Sequence, residues 1–284
     1  MKVFTVDLYD YFNLPKVEFT KGVLTCYVKD RSKEICEKRK SPAMLVLPGG
    51  GYWFTSDREA EPVALAYLSS GFNSFVLRYS CDPLSHPTQL REAAMAIIYI
   101  RENAESLGVN PEKVSAVGFS AGGHLCAMLA TLYNNDCLDI FGQRKNLIRP
   151  DAVVLGYPVI SCFEKTHEGT FNIVSGGDDK LRKYLSTEKR VTKDSVPAFI
   201  FATSEDDAVP VINSIKLAEE YYRCGVPFSL HIYEKGCHGL SLGTYECDNV
   251  NRDDYDKRST DYKGWHTLSV NWLKDRGFLP VDLK

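Results

Sequence analysis

The sequence predicts an α/β protein in which helices cover both faces of a mostly parallel central sheet. Two observations carry this prediction. Short apolar runs of strand length alternate with stretches of helical length, and several apolar runs end at glycine or proline. Alternation of this kind is typical of βαβ units, which build parallel sheets. The chain has 284 residues, enough to bury a large core without disulfides or a metal.

The predicted elements follow from these runs. The apolar runs that we interpret as strands of the sheet cover residues 43–48, 72–79, 113–119, 151–158, 197–202 and 227–233. Helical spacing or composition predicts helices at about 59–70, 89–106, 120–132, 211–224 and 260–276. The last two helices end at Gly225 and Gly277, and glycine is a common helix stop. Before the first of these strands, residues 17–28 favour an antiparallel hairpin at the sheet edge.

The alternation continues over most of the chain and indicates one domain over residues 1–284. Two segments interrupt it, near 133–149 and 161–196, and both are long for simple connections. Long insertions in compact domains are typically functional or mobile. We therefore expect these two segments to form a small cap over the sheet edge.

Composition excludes several classes of function. The formal net charge is −3 and no basic cluster exceeds a few residues, so we expect neither nucleic acid nor a membrane as partner. Asp7 and Asp10 interrupt the apolar stretch that a signal peptide needs. Nine cysteines without a CxxC pair indicate reduced thiols in a cytoplasmic protein, with no metal and no organic cofactor. Whether the protein forms a homo-oligomer is left open by the sequence.

The segment GFSAGG, from Gly118 to Gly123, joins a predicted strand directly to a predicted helix. It matches the pattern G-x-S-x-G, in which a serine on a sharp strand-to-helix turn projects its hydroxyl above the sheet. Gly118 and Gly122 keep side chains away from the crowded turn. Ser120 is therefore the predicted nucleophile, at the start of a helix whose free N–H groups favour an anion.

A second glycine-rich segment, LPGGGYW from Leu47 to Trp53, also follows a predicted strand. Acyl transfer requires N–H donors that are already aimed at the oxyanion of the tetrahedral intermediate. The residue after the nucleophile, Ala121, supplies one such donor, and Gly50 or Gly51 is the candidate for the other. Gly49 is the alternative.

A nucleophilic serine needs a base, and the base needs an acid that orients it. His238 lies in a glycine-bounded loop after the last predicted strand, at the sheet edge where ligands bind in open α/β proteins. Asp206 follows the preceding strand, and we expect Asp207 to cap the next helix instead. The predicted catalytic residues are therefore Ser120, Asp206 and His238.

Three further side chains near these motifs have weaker expected roles. Tyr52 and Trp53 are candidates for walls of an acyl or sugar pocket, although aromatic residues after a strand are as often part of the core. His124 lies one turn along the predicted helix that begins at Ser120, where we expect it to form hydrogen bonds beneath the site.

Together these segments resemble a known group of proteins. The GGGYW, RYS, GFSAGGH, SEDDAVPVINS and YEKGCHGL segments are similar to α/β-hydrolase esterases of the acetyl xylan esterase and carbohydrate deacetylase type, the BD-FAE or esterase/lipase-like group. The resemblance covers about residues 43–278. Many lipases and esterases have HGGG where this chain has Pro48 before its glycines, so the glycine that donates stays open.

The resemblance implies an α/β-hydrolase fold and an enzyme that removes short, often acetyl, groups from sugar-type esters. The expected partner is a small-molecule ester substrate. An arylformamidase, or a small-substrate peptidase or lipase of the same fold, is the enzymatic alternative. A catalytically inactive ligand-binding protein on this fold is the alternative from another class, because fold alone does not determine function.

Overall fold

The protein is described by a computed structural model that covers residues 1–35, 37–248 and 261–280. Its central feature is an eight-stranded sheet with the order β1-β2-β4-β3-β5-β6-β7-β8. The strands are β1 Lys2–Asp7, β2 Val23–Val28, β3 Ser41–Leu47, β4 Asn73–Arg78, β5 Val109–Phe119, β6 Ala152–Gly156, β7 Ala198–Thr203 and β8 Phe228–Tyr233. The first two pairings, β1 with β2 and β2 with β4, are antiparallel, and the others are parallel.

Helices flank the sheet. They are α1 Leu8–Phe12, α2 Glu61–Ser69, α3 Thr88–Glu102, α4 Ala104–Leu107, α5 Ser120–Leu132, α6 Glu168–Ser175, α7 Asp179–Tyr184, α8 Ile212–Arg223 and α9 Trp265–Asp275. One apolar cluster packs α3, α5 and α8 on one face of the sheet, and a second packs α2 and α9 on the other. The predicted fold class, a mostly parallel sheet between helices, is confirmed.

The central strand β3 shows why these apolar runs form strands. All of its residues are buried. Ala43, Leu45 and Leu47 belong to one apolar cluster, while Met44 and Val46 belong to the other. Side chains alternate between the faces of a strand, so a strand covered on both faces is continuously apolar in sequence.

Two element predictions need correction. The edge hairpin expected within residues 17–28 does contain β2, but its antiparallel partners are β1, Lys2–Asp7, and β4, Asn73–Arg78, and not residues 17–22. Val17 and Phe19 are exposed, and Phe19 has a φ of 68°, so this part of the segment is a turn. The last helix begins at Trp265, after a 3₁₀ turn at Asp261–Gly264. Thr260, the predicted start, lies outside the described residues.

The two segments that interrupt the alternation pack differently. The 3₁₀ segment Asp136–Leu147 buries Leu138 and Phe141 in the core cluster that contains α3. The segment 161–196 contributes α6, α7 and the 3₁₀ helix Thr187–Arg190. It approaches the loop after β3, since the ring centroid of His167 is 5.4 Å from that of Trp53. No helix among the described residues is both long and apolar enough to cross a bilayer.

Candidate active site

The loop between β5 and α5 gives Ser120 an unusual backbone. Ser120 is the first residue of α5 and has a φ of 53°, in the left-handed region that non-glycine residues rarely occupy. A Cβ on Gly118 would collide with the carbonyl oxygen of Gly122, and a Cβ on Gly122 would collide with that of Leu47. The strand and helix therefore approach this closely only because both positions are glycine.

The structure brings the three predicted catalytic side chains together. His238 Nε2 lies 2.9 Å from Ser120 Oγ, and His238 Nδ1 lies 2.7 Å from Asp206 Oδ2. The Asp206 side chain is fully buried, whereas that of His238 is 22% exposed. Because a carboxylate only accepts hydrogen bonds, Nδ1 carries the ring hydrogen, and the lone pair of Nε2 is free to accept the serine proton.

Asp206 is held by its own turn as well as by the histidine. Its Oδ1 accepts hydrogen bonds from the N–H groups of Ala208 and Val209, at 3.1 and 2.8 Å. The expected capping role of Asp207 is therefore wrong. The residue in the capping position before α8 is Val211, which makes no side-chain cap, and Asp206 satisfies the N–H groups of the preceding turn.

The glycine loop after β3 packs directly against the nucleophile, since a Cβ on Gly49 would lie 2.9 Å from Ser120 Cβ. The N–H of Gly49 already donates to Glu59 Oε2 at 2.8 Å, so it is not available to a substrate. Among the described residues, no hydrogen bond uses the N–H of Gly50, Gly51 or Ala121. Ala121 and both glycine candidates, Gly50 and Gly51, therefore keep an N–H available as a donor, whereas the alternative Gly49 does not.

The two aromatic residues of this loop have different environments. Tyr52 has no exposed surface, and its hydroxyl donates to His124 Nδ1 at 3.0 Å. His124 Nε2 in turn donates to the carbonyl of Leu185 at 2.8 Å, so this histidine forms hydrogen bonds beneath the site. Burial lowers the pKa of His124 to about 4, which keeps it neutral. Tyr52 supports the loop from below and presents no surface to a pocket, so of its two candidate roles the structure shows the core residue and not the pocket wall.

Trp53, in contrast, is 53% exposed. Its indole ring lies over Gly51 and Gly169, where a Cβ at either position would come within 2.6 Å of the ring. The edge of His167 packs against the indole, with an angle of 78° between the ring planes. An exposed aromatic ring is thus held in a fixed position beside the glycine loop.

The structure places Glu59 and Tyr157 beside Ser120, Asp206 and His238, although neither residue was predicted for the site from the sequence. Tyr157 follows β6 with a φ of 35°, and its ring centroid is 5.0 Å from that of His238. Glu59 is 2% exposed. Tyr157 could have been found by its position after a central strand, but nothing in the local pattern distinguishes Glu59 from a surface residue of a helix start.

The described residues contain no group of three or more side chains arranged to hold a metal ion. Two other histidines that follow Ser120 in the chain have packing partners: His231 stacks on Phe199 and His266 packs against Tyr67. Only His238 is hydrogen-bonded to both a serine and a carboxylate within the described part of the chain.

Comparison with known proteins finds a match to the BD-FAE family model over residues 33–221. The chain is 36% identical over 220 residues to endo-1,4-beta-xylanase B of Butyrivibrio fibrisolvens, covering 73% of this chain and 34% of that protein. It is 29% identical over 226 residues to acetylxylan esterase of Xylanibacter ruminicola, covering 76% of this chain and 45% of the relative. The chain therefore spans less than half the length of these curated relatives.

A solved structure matches over more of its length. The acetyl ester-xyloside bifunctional hydrolase from Caldicellulosiruptor lactoaceticus superposes with a TM-score of 0.76 at 35% identity, covering 90% of this chain and 89% of that one. This likeness confirms the α/β-hydrolase fold expected from the motifs. The names of these relatives support the expectation of an enzyme that acts on carboxylic esters.

Proposed function

Since the chain belongs to the BD-FAE family, we propose that it is a serine carboxylesterase that hydrolyses short-chain, chiefly acetyl, esters of sugars or xylo-oligosaccharides. One observation carries the proposal: Asp206, His238 and Ser120 form a continuous hydrogen-bonded series with distances of 2.7 and 2.9 Å. A buried carboxylate, an orienting hydrogen bond and a serine within reach of the imidazole are what nucleophilic acyl transfer requires.

The reaction proceeds in two balanced steps. Ser120 Oγ attacks the ester carbonyl while His238 Nε2 takes the hydroxyl proton, and collapse of the intermediate breaks the bond to the alcohol, which leaves with that proton. Water then attacks the acyl-enzyme, again losing a proton to His238, and the carboxylic acid leaves as the proton returns to Ser120. Asp206 stabilises the imidazolium that forms in each step. No metal or organic cofactor takes part.

The negative charge on the carbonyl oxygen needs donors that do not have to reorganise. The N–H of Ala121 at the start of α5 and an N–H of Gly50 or Gly51 have this role, and Gly49 is excluded because Glu59 occupies its N–H. Losing one such donor typically lowers kcat by about 10²–10³.

A sugar substrate is supported by the surface next to the glycine loop. The exposed face of Trp53 offers a flat apolar platform of the kind on which a pyranose ring can stack. Beside it, His167 Nδ1 accepts the N–H of Thr170, so the neutral ring carries its hydrogen on Nε2 and can donate to a sugar hydroxyl. Burial, and after it the charge of His238, lowers the pKa of His167 and favours this neutral form.

The proposal is tested with a panel of p-nitrophenyl acetate, butyrate and longer esters, together with acetylated xylo-oligosaccharides. We expect turnover to fall steeply beyond short acyl chains, and Ser120→Ala to abolish both turnover and labelling by a fluorophosphonate probe. Preference for long chains would indicate a lipase, and turnover of formylkynurenine alone an arylformamidase. A wild-type chain that neither labels nor turns over any ester would point to an inactive binding protein.

A further inference from the structure

A second carboxylate, Glu59, is buried beneath the candidate site and has no part in the reaction steps above. It ends the 3₁₀ turn Asp57–Glu59 and is 2% exposed. Its Oε2 accepts the N–H of Gly49 at 2.8 Å, and its Oε1 accepts the hydroxyl of Tyr157 at 2.7 Å. Buried carboxylates are uncommon unless they are paired, so the partners of Glu59 need an explanation.

These partners connect two loops that flank Ser120. Tyr157 Oη accepts the N–H of Ser241 at 3.0 Å, and Ser241 lies three residues after His238. Ser241 has a φ of 53°, and its carbonyl accepts hydrogen bonds from the hydroxyl of Tyr262 and the indole N–H of Trp265. A single hydrogen-bonded series thus runs from the glycine loop through Glu59 and Tyr157 to the histidine loop.

None of the ion pairs among the described residues includes Glu59. Both of its hydrogen-bond donors are neutral. Burial, and next the negative charge of Glu59, raises the pKa of Tyr157 well above its ordinary value, so this tyrosine keeps its proton and remains a donor. Its ring edge also lies against the imidazole of His238.

We infer that Glu59 is a positioning residue that fixes the oxyanion-binding glycine loop relative to the catalytic histidine, acting through Gly49 on one side and Tyr157 on the other. This inference rests on the proposed serine-esterase function. By occupying the N–H of Gly49, the carboxylate sets the direction of the loop, and the N–H groups of Gly50 and Gly51 are left for the substrate.

The carboxylate, rather than an amide, is required by the donors it meets. Gly49 and Tyr157 each bring a hydrogen, and Tyr157 Oη already accepts from Ser241. A carboxylate accepts both hydrogens, whereas a glutamine offers one accepting oxygen and one donating nitrogen. In Glu59→Gln, an amide nitrogen that faces Gly49 meets a second donor, and one that faces Tyr157 forces the hydroxyl to accept instead of donate, so we expect the glycine loop to shift.

The test compares Glu59→Gln with a matched control, Glu92→Gln. Glu92 is also fully buried and also accepts a tyrosine hydroxyl, that of Tyr9, and a backbone N–H, that of Ser80. We expect Glu59→Gln to lower kcat for p-nitrophenyl acetate about 10–100-fold, less than the 10²–10³ expected when a donor is lost outright, with KM within about twofold. Glu92→Gln should keep the wild-type kcat, so equal losses in both variants would overturn the inference.

Tyr157→Phe provides a second variant that keeps the carboxylate and the shape of the core. It should also lower kcat. The double variant Glu59→Gln/Tyr157→Phe should lower kcat by less than the product of the two single effects, because both residues belong to one hydrogen-bonded series. Tyr67→Phe, which removes a buried hydroxyl bonded to Ser269, is its control. Additive losses would contradict the connected series.

The rate of fluorophosphonate labelling separates this inference from the proposed function. The probe reacts with the serine through an oxyanion of its own, whether or not the chain hydrolyses esters. If no ester is turned over but Ser120 is labelled, and Glu59→Gln slows labelling about 10-fold or more, the proposed function fails and the positioning role stands. If wild type turns over esters and Glu59→Gln labels at the wild-type rate, the positioning role fails alone.

Discussion

Two buried polar clusters in this protein have the same local chemistry and different surroundings. The site cluster consists of Glu59, Tyr157, Ser120, Asp206 and His238. The edge cluster consists of Glu92, Tyr9 and Ser80, at the antiparallel side of the sheet, where Lys21 also donates its N–H to Ser80 Oγ. In both clusters a buried glutamate accepts a tyrosine hydroxyl and a backbone N–H.

The difference lies in what each glutamate connects. Glu92 joins α3 to α1 and to the chain after β4, so it ties the N-terminal segment to the sheet. Glu59 joins two loops that meet at a nucleophile with 7% exposure. Burial and satisfied hydrogen bonds therefore do not by themselves indicate a functional role. What distinguishes Glu59 is that its hydrogen bonds lead to the loops around Ser120.

The largest difference in kcat between variants of the two clusters is expected when the proposed base, His238, is replaced. His238→Ala removes the proton acceptor of Ser120 and should lower kcat for p-nitrophenyl acetate by about 10⁶, as for other serine hydrolases that lose this residue. No substitution in the edge cluster should approach this effect. Steady-state kinetics on purified variants measures it, and a loss below about tenfold would remove His238 from the mechanism.

Asp206→Asn tests the carboxylates directly. The amide can donate to His238 Nδ1, which favours the wrong ring tautomer, and kcat should fall by about 10⁴. Glu92→Gln, the same chemical change in the edge cluster, should leave kcat unchanged. A similar kcat for the two variants would contradict the difference in role between the two clusters.

The comparison extends to exposed aromatic residues. Trp53 touches the glycine loop, whereas Tyr222 on α8 is 79% exposed and belongs to neither polar cluster. Trp53→Ala should raise KM for acetylated xylo-oligosaccharides about tenfold, corresponding to about 1.4 kcal/mol of stacking, and change p-nitrophenyl acetate turnover little. Tyr222→Ala is the control, and an equal change in KM for both substrates would argue against a sugar platform.

The smallest effect concerns stability and belongs to the edge cluster. Burial raises the pKa of Glu92 from 4.5 to about 7, although hydrogen bonds from Ser80 and Tyr9 oppose the shift. The folded state therefore holds this proton more tightly than the unfolded state, and the free energy of unfolding should decline as pH rises from about 4.5 to about 7. Glu92→Gln has no such proton and should lack this decline. Urea denaturation at several pH values measures how the free energy of unfolding changes with pH in the wild type and in Glu92→Gln. The two pH dependences would be the same if Glu92 stayed charged throughout.

Much of the site follows from the sequence because its signals are local. A glycine-flanked serine between a strand and a helix, a glycine run after an earlier strand, and a histidine in a loop after the last strand each occupy a short stretch of chain. The parallel order of the strands then brings those stretches to one edge of the sheet. As expected, the His238 side chain lies within hydrogen-bonding distance of both Ser120 and Asp206.

The remaining features depend on contacts between distant residues. Tyr52 and Trp53 are adjacent in sequence, yet one is buried against His124 and the other lies open beside Gly169. The strand that pairs with β2 at the sheet edge comes from the first residues of the chain rather than from the preceding turn. The Gly49 N–H is excluded by a glutamate ten residues away, and no local pattern indicates that contact.

The neighbouring strands β5, β6, β7 and β8 are followed by Ser120, Tyr157, Asp206 and His238 respectively. Under the proposed mechanism, hydrolysis therefore needs all four of these strands in place, including β8, the terminal strand on that side. Recovery of ester turnover after dilution from urea should therefore require that β8 is docked, which makes turnover a measure of the completed sheet during refolding.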